Sequence, residues 1–191
     1  MEHKGTRTLE TKRLVLRRFV LSDADAFFRN CCYDERVTRY LSWQPHKDPD
    51  ETREILSRWI GAYEDPKTYQ WAIVLKDLDE VIGTISVVGM KEKAETVHIG
   101  YEIGFPWWHK GIMTEAFGRV IDYLFTEVKA GRIEAWHDTA NPNSGGVMRK
   151  CGLLYEGTHR KAERDNQGIV DVCVYAILRE DYLEMKKDGG L

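Results

Sequence analysis

The 191-residue sequence predicts a mixed α/β fold, in which a seven-stranded sheet carries helices on both faces. Strand-like and helix-like patterns follow one another in the order β-α-α-β-β-β-α-β-α-β-β. The middle of that order is a strand–helix–strand crossover, which joins parallel strands, and antiparallel hairpins flank it. With 42% hydrophobic and 31% charged residues, the chain has the composition of one globular domain, residues 1–191, with a core over about residues 12–182.

The first third of the chain is expected to form one strand and two helices. Side chains alternate between two faces along Arg13–Phe19, as in a strand. Ser22 is a candidate helix N-cap, because Asp25 follows it three residues later in the manner of a capping box, and this helix should end near Cys32. A second helix is predicted over about Asp50–Tyr63, where apolar residues recur at helical spacing.

Three consecutive strands and the longest helix are predicted in the middle of the chain. Charged turns separate the strands, which are Tyr69–Leu75, Val81–Val88 and Glu95–Gly104. The helix follows over Thr114–Lys129. From Met113 onward its apolar residues recur at i, i+3, i+4 and i+7, which places one continuous apolar stripe on a helix face.

The last third should complete the sheet with three more strands and one short helix. Arg132–His137 is the fifth predicted strand. A helix over about Ser144–Cys151 should end at Gly152, which suits the C′ position. The closing hairpin is formed by Leu153–Arg160 and Ile169–Leu178, which a turn separates.

The segment most informative about function is Pro106–Phe125, in which a strand leads through a loop with Gly111 into the longest helix. First-turn N–H groups have no partner inside a helix, and the helix dipole favours an anion there. Glycine lets a bulky phosphate approach the backbone. The loop lacks both the Lys-Ser/Thr ending of a P-loop and the further glycines of a dinucleotide site. It therefore predicts an anion cradle, and the alternative is a plain loop before a core helix.

The loop resembles the acyl-CoA pyrophosphate loop of the GCN5-related N-acetyltransferases (GNAT), written Q/R-x-x-G-x-G/A. That register reads Trp108-His109-Lys110-Gly111-Ile112-Met113 here. The RimJ/RimL-like branch, whose loop runs P-x-x-W-G-K-G-Y-A-T-E-A, is the closer resemblance. His109 replaces the first glycine of that pattern, and Met113 replaces its usual small residue. The matching residues are Trp108, Lys110, Gly111, Thr114, Glu115 and Ala116, and Pro106 lies one position after the proline of the pattern.

Other segments extend the resemblance from Leu14 to about Tyr182. They are TKRLVLRRF with Ser22–Asp25, Tyr40–Pro45, Asn141–Ser144 through Lys150–Leu153, and the set Glu156, Gly157, Gly168, Asp171 and Tyr175. The resemblance implies the GNAT fold, whose sheet is splayed between its fourth and fifth strands. It also implies acetyl-CoA as the acyl donor, with its pantetheine arm in that splay.

The resemblance implies ten donor-binding residues. The loop would hold the pyrophosphate through backbone N–H groups. Lys110 has the alternative of being a solvated lysine, and the bulk of Met113 would crowd the phosphate if it pointed inward. Asn141 resembles a residue that hydrogen-bonds pantetheine, and a helix-capping turn is its alternative. The ten are Ile103, Gly104, Trp108, His109, Lys110, Gly111, Ile112, Met113, Thr114 and Asn141.

Three residues are candidates for the acid–base chemistry of acetyl transfer. Glu102, on the strand before the loop, is the candidate base, with an ordinary ion-paired strand residue as the alternative. Glu163, nineteen residues after Ser144, is the rival base, as the resemblance implies. Ser144 occupies the serine of the branch's N-x-x-S segment and would protonate the leaving thiolate, because the tyrosine that many GNAT members use is Met148 here. His98 shares the face of Glu102 but is expected to be a packed strand histidine.

Charge and composition exclude several function classes. A net charge of −3 and a pI near 6.1 argue against a nucleic-acid binder. No apolar run approaches the ~20 residues that cross a bilayer, and the polar start MEHKGTRTLETK leads us to expect no signal peptide and a cytoplasmic location. The cysteines at 31, 32, 151 and 173 lack metal-binding spacing, so we expect no metal.

The sequence thus predicts an acetyl-CoA-dependent N-acetyltransferase that acts by direct transfer to a primary amine. The acceptor, a small-molecule or peptide amine with a protein N-terminus as one candidate, and a homodimeric state are left open. Trp43, Trp59, Trp107 and Trp108 are candidates either for the acceptor cleft or for the core. The alternative from another class is a non-catalytic acyl-CoA-binding or regulatory GNAT module. A nucleotide-binding protein is disfavoured by the lone glycine and the missing acidic residue ~20 positions after it.

Overall fold

The computed structural model describes residues 1–187 and contains one mixed sheet of eight strands in the order β1-β2-β3-β4-β5-β6-β8-β7. All seven predicted strands are present. The additional strand, β1, has only two residues, too few for any alternation to predict it. The strands are β1 Leu9–Glu10, β2 Leu14–Arg17, β3 Gln70–Leu75, β4 Glu80–Lys91, β5 Thr96–Ile103, β6 Arg132–Asp138, β7 Leu154–Asp165 and β8 Gly168–Leu178.

Six α-helices connect and cover the strands. The first predicted helix ends at Cys32 as expected, because α1 continues there as a π-helical turn over Phe28–Cys32, whereas the four-residue helix α2 that follows was not predicted. The C-terminal helix α6 was not predicted, because it is polar and buries only Tyr182. The helices are α1 Ala24–Phe27, α2 Glu35–Thr38, α3 Pro49–Ala62, α4 Ile112–Thr126, α5 Pro142–Lys150 and α6 Arg179–Lys187.

Helix ends test the capping predictions directly. The Ser22 cap is wrong: Ser22 lies inside a 3-10 turn, and the Asp23 carboxylate instead accepts the Val20 N–H at 2.9 Å. Gly152 is the predicted C′ residue of α5, with φ +84°. Its N–H donates to the Arg149 carbonyl, and the next N–H donates to that of Met148, which is a Schellman arrangement.

The splay between the fourth and fifth predicted strands is present between β5 and β6. These two strands are parallel, whereas every other pair in the sheet is antiparallel. Only three positions are paired, from Thr96 with Arg132 to His98 with Glu134. Beyond His98 the strands separate, which opens a gap toward the carboxyl ends of both.

Two hydrophobic clusters hold the sheet between helices. The apolar stripe of α4, together with Met148 of α5, packs against one face in a cluster that contains Trp71 and Ile85. On the other face, α1 and α3 pack in a second cluster, with Phe27 and Leu56 against Val74. The predicted helices on both faces are therefore confirmed.

Gly83 and Gly118 offer a matched test of backbone packing beside the splay. A Cβ at Gly83 on β4 would overlap the Glu102 carbonyl oxygen and lie 2.9 Å from the Ile103 Cα, whereas at Gly118 on α4 it would meet nothing within 4 Å. We expect Gly83→Ala to lower the free energy of unfolding by about 1–3 kcal/mol through overpacking. Gly118→Ala should raise it by about 0.5–1 kcal/mol, because alanine favours helix. Urea unfolding measures both, and equal effects would contradict the close approach of β4 and β5.

Candidate active site

A cleft of about 730 Å³ opens where β5 and β6 separate. Four parts of the chain form its walls: the end of β5, the loop before α4 with the first turn of that helix, residues 140–150, and residues 35–41. Ten of the thirteen predicted site residues line it. They are Glu102, Ile103, Trp108, His109, Gly111, Ile112, Met113, Thr114, Asn141 and Ser144.

The three other predicted site residues lie outside this lining. Gly104 is buried beneath the cleft, and its N–H donates to the Ile82 carbonyl at 2.9 Å. Lys110 is exposed, and its side chain pairs with no other residue within 1–187, which agrees with a solvated lysine. Glu163 is exposed on the edge strand β7, where the pairing register is interrupted after His159. The structure therefore brings Glu102 and Ser144 to one cleft and leaves Glu163 apart from them.

The loop before α4 has the backbone of an anion cradle. Gly111 is the N-cap of α4 in the left-handed conformation, with φ +70°, and His109 has φ +59°. The first-turn N–H groups of α4 follow directly, and they have no intrahelical acceptor. Met113 is 5% exposed and belongs to the main core, so its side chain packs into the protein.

Glu115, in the first turn of α4, would by itself repel an anion at this helix end. Its carboxylate accepts from the Arg13 Nε at 2.6 Å and the Thr11 hydroxyl at 2.6 Å. Burial would raise the pKa of Glu115, but these bonds outweigh it and lower the pKa. Arg13 also donates to the Lys110 carbonyl at 2.9 Å, so the same arginine offsets the negative charge and holds the loop.

Trp108 joins the loop to the end of β5. Its indole N–H donates to the Ile103 carbonyl at 2.8 Å, and its ring packs against the second core cluster. Because alternate residues of a strand direct their backbone groups to opposite neighbours, the β4-facing N–H of Gly104 implies that those of Tyr101 and Ile103 face the gap. These two N–H groups are suited to bind an extended amide chain in the splay.

Glu102 lines the cleft and is half-buried, with the greater part of the residue enclosed by protein. Within residues 1–187 its carboxyl accepts no hydrogen bond and forms no ion pair. Burial, with a smaller contribution from the Cys32 thiol, raises the pKa of Glu102 to about 8. The alternative of an ion-paired strand residue therefore has no partner in the described chain. A carboxyl with this pKa can take up a proton near neutral pH.

Ser144 and Asn141 lie together at the start of α5. Asn141 is the N-cap, and its side-chain oxygen accepts the Ser144 N–H at 3.4 Å, so the capping role is realised. The Asn141 side chain also lines the cleft. The Ser144 hydroxyl is 2.9 Å from the Tyr101 hydroxyl, a neighbour that the sequence did not indicate because 43 residues separate the two. Met148 is buried in the core.

His98 is a packed strand histidine, as expected. It is 7% exposed, and its ring lies against Trp136 with centroids 3.3 Å apart. Burial lowers the pKa of His98 to about 4, which keeps the ring neutral.

A segment that we call the strap, residues 38–44, contributes Arg39, Tyr40 and Leu41 to the lining of the cleft. One residue of the β7–β8 turn, Asn166, holds it. The Asn166 amide donates to the carbonyls of Thr38 at 2.9 Å and Trp43 at 2.7 Å, and its backbone N–H donates to that of Leu41 at 3.1 Å. Gln44 donates to the Asn166 side-chain oxygen at 2.6 Å. The strap thereby ties the two halves of the splayed sheet together across the cleft.

Aromatic residues divide between the cleft and the core. Trp107 and Trp108 line the cleft and also pack against the core, whereas Trp43 and Trp59 pack against the second core cluster without lining the cleft. Neither a cluster of metal-binding side chains nor a helix able to cross a membrane occurs among residues 1–187.

Asn166 provides a direct test of the strap. Asn166→Ala removes three of its hydrogen bonds and should raise amide hydrogen exchange across residues 38–44, because the strap has little secondary structure of its own. Gln167→Ala is the matched control in the same turn, since only the backbone N–H of Gln167 is engaged. Unchanged exchange in the Asn166 variant, measured by mass spectrometry, would show that the strap is held by other contacts.

Comparison with known proteins adds evidence independent of this geometry. The model of the "Acetyltransferase (GNAT) domain" family matches residues 13–154. The uncharacterised N-acetyltransferase p20 of Bacillus licheniformis is 32% identical over 177 residues, covering 92% of this chain and 98% of that protein. The [ribosomal protein uS5]-alanine N-acetyltransferase of Escherichia coli is 26% identical over 155 residues, covering 78% of this chain and 79% of the relative.

Solved structures agree in fold. The structure of RimL, a ribosomal-protein alpha-N-acetyltransferase in complex with coenzyme A, superimposes with a TM-score of 0.80 at 20% identity. The match covers 90% of this chain and 98% of that one.

Proposed function

Because this chain belongs to the GNAT acetyltransferase family, we propose that it transfers an acetyl group from acetyl-CoA to a primary amine. The predicted family and its resemblance to the ribosomal-protein acetyltransferases are confirmed. One observation carries the proposal: the unpaired Glu102 carboxyl and the N-terminus of α4 open into the same cleft.

The residues around the α4 N-terminus fit the diphosphate of acetyl-CoA. Left-handed backbone at His109 and Gly111 exposes consecutive N–H groups, and the ion pair of Glu115 with Arg13 offsets the local negative charge. The gap-facing N–H groups of Tyr101 and Ile103 fit the amides of a pantetheine arm. A structural neighbour of this chain was solved with coenzyme A, which supports the same choice of donor.

The transfer itself then follows from Glu102 and Ser144. The Glu102 carboxylate takes a proton from the acceptor ammonium, which frees the nitrogen lone pair to attack the thioester carbon. The N–C bond forms and the C–S bond breaks with its electron pair on sulfur. Ser144 Oγ gives its proton to that sulfur and takes up the proton that the new amide nitrogen loses. Neither glutamate nor serine forms a covalent bond to the acetyl group.

The acceptor is proposed to be a primary amine, with a protein N-terminus as the leading candidate. This choice rests on the similarity of the chain to an enzyme that acetylates a ribosomal protein. The cytoplasmic location and the homodimer stay predictions. The alternative of a non-catalytic acyl-CoA-binding module is disfavoured by Glu102, because enclosing an unpaired carboxyl destabilises a fold and a pure binder gains nothing from it.

Thiol release tests the proposal. The protein is incubated with acetyl-CoA and a panel of peptides, polyamines and small amines, and free coenzyme A is followed with a thiol reagent. Amine-dependent release with a matching mass increase of 42 Da in the acceptor is expected, since an acetyl group replaces one hydrogen. Tight acetyl-CoA binding with no release on any amine would favour the non-catalytic module.

Gly111→Val tests the cradle. Valine at φ +70° strains the backbone and places a branched side chain where the diphosphate must approach, so acetyl-CoA affinity should fall by roughly tenfold or more. Gly118→Ala, further along the same helix with open space around it, is the control and should bind normally. Isothermal titration gives both affinities. A folded Gly111→Val protein with unchanged affinity would remove this loop from the donor site.

Glu102→Gln tests the base through pH. With a pKa of about 8, the carboxylate fraction grows roughly fivefold from pH 7 to pH 8, and kcat/KM should grow with it. Using acceptors of different amine pKa separates this limb from titration of the substrate. The rise in kcat/KM that falls at the same pH for every acceptor belongs to the enzyme. Glu102→Gln should abolish this rise, and Glu163→Gln should keep it. The reverse outcome would transfer the role to Glu163.

Stability gives a second readout of the same group. A carboxyl whose pKa is higher in the folded state than in the unfolded state stabilises the fold below the unfolded value, and that stabilisation is lost as pH rises through the folded value. The wild-type protein should therefore lose stability relative to Glu102→Gln between about pH 4.5 and pH 8. A constant difference in Tm across this window would contradict the raised pKa.

A further inference from the structure

Two hydroxyl groups meet across the splay, one from each side. The Tyr101 hydroxyl, on β5, lies 2.9 Å from the Ser144 Oγ and 3.0 Å from the Ser144 carbonyl oxygen, on α5. Both residues line the cleft. β5 and α5 stand on opposite sides of the gap, so this contact connects the two sides at the depth where β5 and β6 have already separated.

Few arrangements of the two hydroxyl protons are open to this pair. The Ser144 carbonyl can only accept, so Tyr101 donates either to that carbonyl or to the Ser144 Oγ. When Tyr101 donates to Oγ, the proton of Ser144 is free to point into the cleft. When Tyr101 donates to the carbonyl, the Ser144 proton can turn back to the tyrosine oxygen. A negative charge that develops in the cleft favours the first arrangement, because it attracts the Ser144 proton.

The surroundings keep Tyr101 in place as a donor. Its ring packs against Phe117 of α4, with centroids 5.5 Å apart, and belongs to the border of the main core. Burial raises the pKa of Tyr101 well above its ordinary value, so the phenol stays protonated throughout the neutral range. Asn141 occupies the Ser144 N–H and leaves the Ser144 hydroxyl to Tyr101.

We propose that Tyr101 is the positioning residue of the transfer, donating to Ser144 Oγ and so directing the Ser144 proton at the departing sulfur. This role rests on the proposed function. The proton balance is unchanged: Ser144 Oγ exchanges one proton for another, and no proton leaves Tyr101. A chain of two hydroxyls polarises the outer one, which makes Ser144 a better donor to a thiolate than an isolated serine.

A double-mutant cycle tests the proposal. Tyr101→Phe removes only the hydroxyl and should lower kcat by about tenfold, the worth of one hydrogen bond made in the transition state. Ser144→Ala should lower kcat by roughly ten- to a hundredfold. The double variant should be no slower than Ser144→Ala, because Tyr101 acts only through that serine. Acetyl-CoA affinity should stay within about twofold throughout.

Tyr123→Phe is the matched control. The Tyr123 hydroxyl is also buried and also donates to a backbone carbonyl, that of Gly5 at 2.7 Å, but it lies outside the cleft. Tyr123→Phe should lower the free energy of unfolding as much as Tyr101→Phe does and leave kcat unchanged. If both tyrosine variants lose stability while Tyr101→Phe keeps full kcat, or if its effect multiplies with that of Ser144→Ala, Tyr101 is merely structural and the proposal is overturned.

Fluorotyrosine at position 101 keeps the test decisive if Tyr101→Phe folds poorly. Ring fluorination makes the phenol a stronger donor at nearly constant shape, so kcat should rise in the wild-type background and stay constant in the Ser144→Ala background. A purely packing role predicts no change in either. An unaltered protein that releases no thiol with any amine would instead overturn the proposed function, and the role of Tyr101 with it.

Discussion

The early separation of β5 and β6 is the constraint on which the rest of this molecule depends. After three paired positions, β5 and β6 no longer hydrogen-bond to each other, although each stays paired with the strand on its other side. The backbone groups that face the gap therefore need other partners. The Ile103 carbonyl is satisfied by the indole of Trp108. The N–H groups of Tyr101 and Ile103 face the cleft, where a substrate with its own amides can pair with them. The proposed donor site is thus the part of the sheet that the fold leaves unpaired.

A gap of this kind weakens a sheet, and three side-chain connections span or brace it. Tyr101 reaches Ser144 of α5 across the gap, and Asn166 of the β7–β8 turn holds the strap. Arg13 secures the α4 loop and offsets Glu115. Each connection joins segments far apart in sequence, and the two that span the gap, at Tyr101 and Asn166, must break before the two halves of the sheet can separate.

The features that could be predicted from the sequence are those that are local and periodic. The stripe of α4 and the alternation of seven strands each repeat within one element, so element type and order could be predicted. Gly111 and Gly152 were predictable because glycine there serves a positive φ. The Ser22 cap failed, since Asp23, one residue on, forms both the cap contact and an ion pair with Arg17. β1, α2 and α6 were missed because none of them carries a repeating apolar pattern.

The candidate site was predictable only where a motif is contiguous in sequence. The α4 loop and the segment of Asn141 and Ser144 are such motifs, and both line the cleft. Tyr101 beside Ser144 and Asn166 beside the strap depend on contacts over 43 and more than 120 residues, which no periodicity encodes. Glu102 was predictable only in part. The alternation of the strand predicts which face of the sheet Glu102 lies on, but only the fold shows that its carboxyl has no partner within the described chain. An enclosed carboxyl without a partner opposes stability, and its position in the same cleft as the N-terminus of α4 supports the proposed role of Glu102 as the base.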